Sequence, residues 1–122
     1  MANQILHWEL MGADGAILAA FYKDMFDWNP QPMEGFGEYH LVADADTGIG
    51  GAVGQGPEEM PSYFAMYIGV DSIDDHLAKI AAAGGSTVVA RTVIPGTVTF
   101  AMFADPAGNV VGLTENETPP AE

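Results

Sequence analysis

The chain reads as an α+β domain made of two consecutive βαβββ modules. Two observations predict this. Each half opens on a segment of strand period, passes into an apolar stripe of helical period, and closes on short strand-like segments broken by Gly, Pro and Asp. The same order then recurs after about 60 residues, the mark of an internal repeat.

In the first module, residues 4–55, "ILHWELM" alternates Leu6, Trp8 and Leu10 with Ile5, His7, Glu9 and Met11, giving a wholly apolar face and a mixed one. Asp14 stands where a helix N-cap is expected, and Ile17, Leu18, Phe21, Tyr22, Met25 and Phe26 form the stripe of a helix ending near Asp27. The broken segment "NPQPMEGFG" leads to "EYHLVA", in which Tyr39, Leu41 and Ala43 alternate with Glu38, His40 and Val42. The glycine-rich "GIGGAVG" reads as a strand whose missing side chains leave room for something else.

The second module, residues 62–116, begins with "SYFAMYIGV", where Phe64, Met66, Ile68 and Val70 alternate with Tyr63, Ala65, Tyr67 and Gly69. Ser72 and Asp75 resemble a capping box, and Ile73, Leu77, Ile80 and Ala81 make a helix stripe stopped by Gly84 and Gly85. "STVVARTVI", "GTVTFAMFA" and "VVGLTE" supply three strands, with a turn at "DPAGN" before the last, and residues 117–122 read as a frayed tail.

Composition bounds the function. The 122 residues make one domain with material for a core, and three Lys and Arg against 17 Asp and Glu give a formal charge of -14. That balance opposes binding to nucleic acid or anionic membrane surfaces. With no Cys there is no thiolate metal site and no thiol nucleophile. The N-terminal segment has no secretory pattern and no apolar run is long enough to span a bilayer, so a cytoplasmic location is expected.

The stretches "LHWELMGADGAILAAFYKDMFDW", "YFAMYIGVDSIDDHLAKIAAAGG" and "MFADPAGNVVGLTE" resemble the vicinal oxygen chelate superfamily, which includes glyoxalase I, extradiol dioxygenases, methylmalonyl-CoA epimerase and the bleomycin-resistance proteins. The resemblance covers nearly the whole chain and implies the glyoxalase/bleomycin-resistance fold: cupped, barrel-like mixed sheets with helices outside, holding a small-molecule ligand. It also implies a homodimer, as do exposed sheet edges. Enzymes of the superfamily place metal ligands at four strand positions. The first falls on His7, the second in or near "GIGGAVG", the third on Ala65 and the fourth on Gly112. Only His7 carries a donor, so the resemblance implies an emptied metal site and no cofactor; at Gly112, relief of crowding within a strand is the other use of a glycine.

If Trp8, Leu41, Phe64 and Met66 pack under the helices, then His7, Glu9, Glu38, His40, Tyr63 and Tyr67 face the cup, with Phe100 and Met102 as apolar lining. His7 and Glu9, two apart on one strand, share a face. A carboxylate there raises the imidazole pKa and orients a general base. Three readings stay open: a metal-independent binder of an apolar or aromatic molecule, resting on Trp8, Phe36, Tyr63, Tyr67 and Phe100; a lyase or isomerase using His7 and Glu9; and a glyoxalase- or dioxygenase-like enzyme with a rearranged metal set of His7, Glu9 and His40.

Overall fold

A computed structural model describes residues 2–115. The tail read as frayed lies outside the described residues. Contacts divide the chain into two compact units, one of Leu6–Met66 and the other running from Tyr67 to the end of the described chain together with the N-terminal residues through Ile5.

The first unit contains most of β1 (Ile5–Gly12), then α1 (Gly15–Phe26), a two-residue β2 (Gln31–Pro32), β3 (Tyr39–Val42), a single helical turn α2 (Asp44–Thr47) and β4 (Gly51–Gln55). α1 starts because the Asp14 carboxylate accepts a hydrogen bond from the Ile17 amide at 3.1 Å, and it stops at Asp27, which adopts the left-handed conformation at φ 61°. The strand order is β2-β3-β4-β1, with β1 and β4 parallel and the other neighbours antiparallel. Ala19 of α1 packs with Val42 and Val53, and Trp8, Leu10, Leu18, Tyr22 and Trp28 close around them. This cluster fixes which face of the sheet is the core face. Trp8, Leu10, Val42 and Val53 point to α1, so His7, Glu9 and Met11 point away from it.

The second unit holds the rest of β5 (Tyr63–Val70), α3 (Ile73–Ala82), β6 (Ser86–Ile94), β7 (Val98–Ala104) and β8 (Val110–Glu115). Its strand order is β5-β8-β7-β6, with β5 and β8 parallel. Counting strands within each module, both sheets thus run first, fourth, third, second, the topology of the repeat read in the sequence. The Ser72 hydroxyl accepts from the Asp75 amide at 3.2 Å and starts α3. Ile73, Val70, Ala101 and Leu113 form the core, flanked by Ile68, Leu77, Ile80 and Phe103.

Neither unit's sheet closes on itself. Two expectations are corrected. The apolar stripe of α1 is wider than the face that packs, leaving Ile17, Phe21 and Met25 exposed. Leu41, Phe64 and Met66, expected under the helices, are also exposed, Phe64 at 60%. In the first unit Val42 and Val53 take the helix-facing places instead. In the second, Ile68 and Val70, on the same alternating face as Phe64 and Met66, pack with Ile73 of α3 as expected. No helix among the described residues is long and apolar enough to cross a membrane.

Candidate functional site

On the face of the first unit turned away from α1, four side chains meet. Glu9 is 9% exposed, the only buried charged or polar residue among those described. Its Oε2 accepts from the Tyr39 hydroxyl at 2.6 Å and its Oε1 from the Tyr63 hydroxyl at 3.4 Å. His7 Nε2 lies 2.9 Å from the same Tyr39 hydroxyl. A tyrosine hydroxyl has one proton, and here Glu9 receives it. His7 therefore donates from Nε2–H to the Tyr39 oxygen, which fixes its neutral tautomer with the acceptor lone pair on Nδ1. The result is a directed chain, His7 to Tyr39 to Glu9, joined at the carboxylate by Tyr63.

Burial dominates the electrostatics. It holds the His7 pKa below its usual 6.5, against the opposing pull of the Glu9 charge. The sequence-based expectation that the carboxylate would raise it is therefore corrected: partial removal from water costs the imidazolium more than Glu9 returns. The Tyr63 hydroxyl is pushed up, first by burial and then by the Glu9 charge and their hydrogen bond, so it stays protonated throughout the physiological range.

Tyr39 is the residue that sequence reasoning placed on the wrong face. The alternation of β3 is as expected, but its faces are reversed: Val42 packs under α1, His40 lies on that same face opposite Val53, and Tyr39 turns toward Glu9. His40 Nε2 instead pairs with Glu38 Oε2 at 2.8 Å. Neither Glu38 nor His40 joins His7 and Glu9, and the metal set of His7, Glu9 and His40 is not assembled. The β-branched, apolar Val42 was the available signal, since it suits the core face better than Leu41.

In the second unit, Tyr67, Gly112 and Met102 lie in one row across β5, β8 and β7, on the face turned away from α3, and Phe100 shares that face. Tyr67 and Met102 are both buried. The Tyr67 ring lies directly over Gly112: a Cβ there would come within 2.2 Å of Tyr67 Cδ2. Gly112 thus relieves a close approach, and a glutamate at that position could not fit while Tyr67 keeps its place. Ala65 is buried and offers only a methyl group. Among the described residues no three His, Asp or Glu side chains are grouped to hold a metal ion. The residues present do not fit the superfamily's metal.

The comparisons agree with this architecture. Residues 10–114 match the family model of the glyoxalase-like domain. The chain belongs to the glyoxalase-like family. It is 32% identical over 111 residues to "Putative glyoxylase CFP32" of Mycobacterium tuberculosis and of Mycobacterium bovis, covering 88% of this chain and 42% of each relative. The chain therefore spans less than half the length of those curated relatives. Among solved structures, the hypothetical protein BH1468 from Bacillus halodurans superposes with a TM-score of 0.67 at 13% identity, over 100% of both chains. A glyoxalase/bleomycin resistance protein/dioxygenase superfamily member from Vibrio splendidus gives 0.65 at 14% identity, over 95% of this chain and 100% of that one. Methylmalonyl-CoA epimerase from Mycobacterium tuberculosis gives 0.66 at 13% identity, over 93% and 88%. At such identities these structures share the fold.

Proposed function

We propose that this domain binds a small organic carbonyl compound on the β1 face of its first unit and moves a proton on it by acid–base chemistry, without a metal. The observation that carries the reading is the hydrogen-bonded chain from His7 through Tyr39 to the buried Glu9. In the proposed step the neutral imidazole takes the proton from the carbon beside the carbonyl, and the C–H electron pair moves into an enolate. As positive charge forms on His7, its Nε2 proton shifts toward Tyr39 and that of Tyr39 toward Glu9, so the charge is neutralised within the chain. Tyr63, held protonated and only loosely donated to Glu9 at 3.4 Å, turns its O–H to the enolate oxygen. Return of the proton to the same or a neighbouring atom gives isomerisation.

Two features of relatives support this class. The curated relatives carry the name glyoxylase, and a methylmalonyl-CoA epimerase with 12% identity to this chain has been solved with methylmalonyl-CoA. The test is solvent deuterium exchange at the enolisable carbon of α-hydroxy ketones and 1,2-diones, followed by proton NMR. His7→Ala, Glu9→Gln and Tyr39→Phe should each slow exchange by about 10²- to 10⁴-fold with the circular dichroism spectrum retained. Since the base must be neutral and burial lowers its pKa, the rate in the wild type should fall as pH drops, with an apparent pKa below 6.5, and reach a plateau at higher pH. Unchanged rates in all three variants would overturn the reading. Tight binding without exchange would instead make the domain a sequestering binder.

The proposal includes a cytoplasmic homodimer. Its support is the exposed stripe of Ile17, Phe21 and Met25, one turn apart on α1, an apolar surface that a second copy would cover.

A further inference from the structure

We infer that the ligand of this site is electrically neutral, an uncharged carbonyl compound rather than a carboxylate or a phosphate-bearing thioester. The inference rests on the functional reading above and narrows it to a substrate class. The chain has three basic side chains, Lys23, Lys79 and Arg91. Lys23 is exposed on α1, which packs on the sheet face opposite the one carrying His7, Glu9 and Tyr39. Lys79 is exposed on α3, which likewise covers the face opposite Tyr67 and Met102. Arg91 is held in a bidentate pair, its Nε and Nη2 donating to Glu115 at 2.9 and 2.8 Å.

Among the described residues, no Lys or Arg is thus turned toward either face that carries the candidate residues. Recognition of carboxylate or phosphate by side chains commonly uses one, often a bidentate Arg. The groups that are present argue in the same direction. Glu9 is a buried carboxylate, and a second anion brought within hydrogen-bonding range of it has no charge to balance the pair. At longer range, the formal charge of -14 repels polyanions, an effect screened by salt over about 8 Å at physiological ionic strength. By contrast, the Tyr63 hydroxyl suits an uncharged carbonyl oxygen, which needs one donor and no counter-ion. Methylmalonyl-CoA, the ligand of one structural neighbour, carries phosphates, and among the described residues no Lys or Arg is turned to this face to meet them.

The experiment compares two ligands of nearly equal shape, 1-phenylpropane-1,2-dione and benzoylformate, in which a methyl ketone replaces a carboxylate. Affinities are measured by ligand-detected NMR on the full chain at about 20 and about 300 mM salt. The dione is expected to bind at least about tenfold more tightly at low salt, with its own affinity unchanged by salt and the anion's improved. Glu9→Gln should narrow the gap by raising the affinity for benzoylformate. Equal or tighter binding of the anion in the wild type would overturn the inference, as would failure of both compounds to bind. The salt series on the wild type decides the matter even if Glu9→Gln fails to fold. Deuterium exchange into the dione methyl is read in the same samples. Binding of the dione without exchange sinks the proposed chemistry while leaving the charge preference standing.

Discussion

At the scale of single residues, two glycines explain themselves by what lies on top of them. Gly51 and Gly112 sit beneath the rings of Trp8 and Tyr67, where a Cβ would come within 2.1 and 2.2 Å of ring carbons. Each is a place where an aromatic ring lies flat against a neighbouring strand, and glycine is the residue that allows it. The two serve different faces: Trp8 belongs to the core under α1, whereas Tyr67 lies on the face away from α3. Gly112→Ala is therefore expected to cost about 1–3 kcal/mol in denaturant unfolding, as overpacking does. Because the clash is with one ring, Gly112→Ala combined with Tyr67→Ala should cost less than the sum of the two single changes. Strict additivity would mean that the ring does not explain the glycine. At the same scale, burial lowers the His7 pKa and so favours the neutral, accepting imidazole over the charged one.

At the scale of elements, the clearest device is the end of β8. Glu115 accepts both Arg91 donors from β6 and, through Oε2, the amide of Ile73 in the first turn of α3 at 3.1 Å. One carboxylate thus ties two strands to a helix start, where negative charge also meets the helix dipole. The Arg91 hydrogen bonds, and after them the Ile73 amide, bring the Glu115 pKa from 4.5 down to about 2. A depressed carboxylate contributes stability that is fully present above its unfolded value and is lost as pH falls toward its folded one. Glu115→Gln should accordingly lower Tm by a few degrees at pH 7, with the difference shrinking between pH 4.5 and about 2. A deficit that stays constant down to pH 2 would show that lost packing, and not charge, is responsible. The helix starts at Asp14 and Ser72 work by the simpler route of a side-chain oxygen accepting one free amide.

At the scale of the whole molecule, the exposed apolar stripe of α1 is set against a large like-charge repulsion between copies. If the proposed homodimer forms through that stripe, sedimentation velocity should show two copies at micromolar concentration, more completely at high salt because screening removes the repulsion. Phe21→Asp should then yield a folded monomer, and a wild type that is monomeric at all salts would refute the assembly. The architecture itself was written in the chain, because periodicity 2 and 3.6, cap residues and a repeated order are local properties that each segment carries alone. So were the pairing of His7 with Glu9 on one face, guaranteed by strand geometry, and the want of metal donors at Ala65 and Gly112. What only tertiary structure decided was which way the face of β3 turns. The alternation in "EYHLVA" is equally regular in either orientation, and the packing of Val42 with Val53 and Ala19 chose the one that sends Tyr39, not His40, to Glu9. The His7 pKa was settled in the same way, since the adjacent carboxylate is visible in sequence but the burial that outweighs it is not. Spacing along a strand fixes which side chains are companions; contact with distant residues fixes what they face and how much water reaches them.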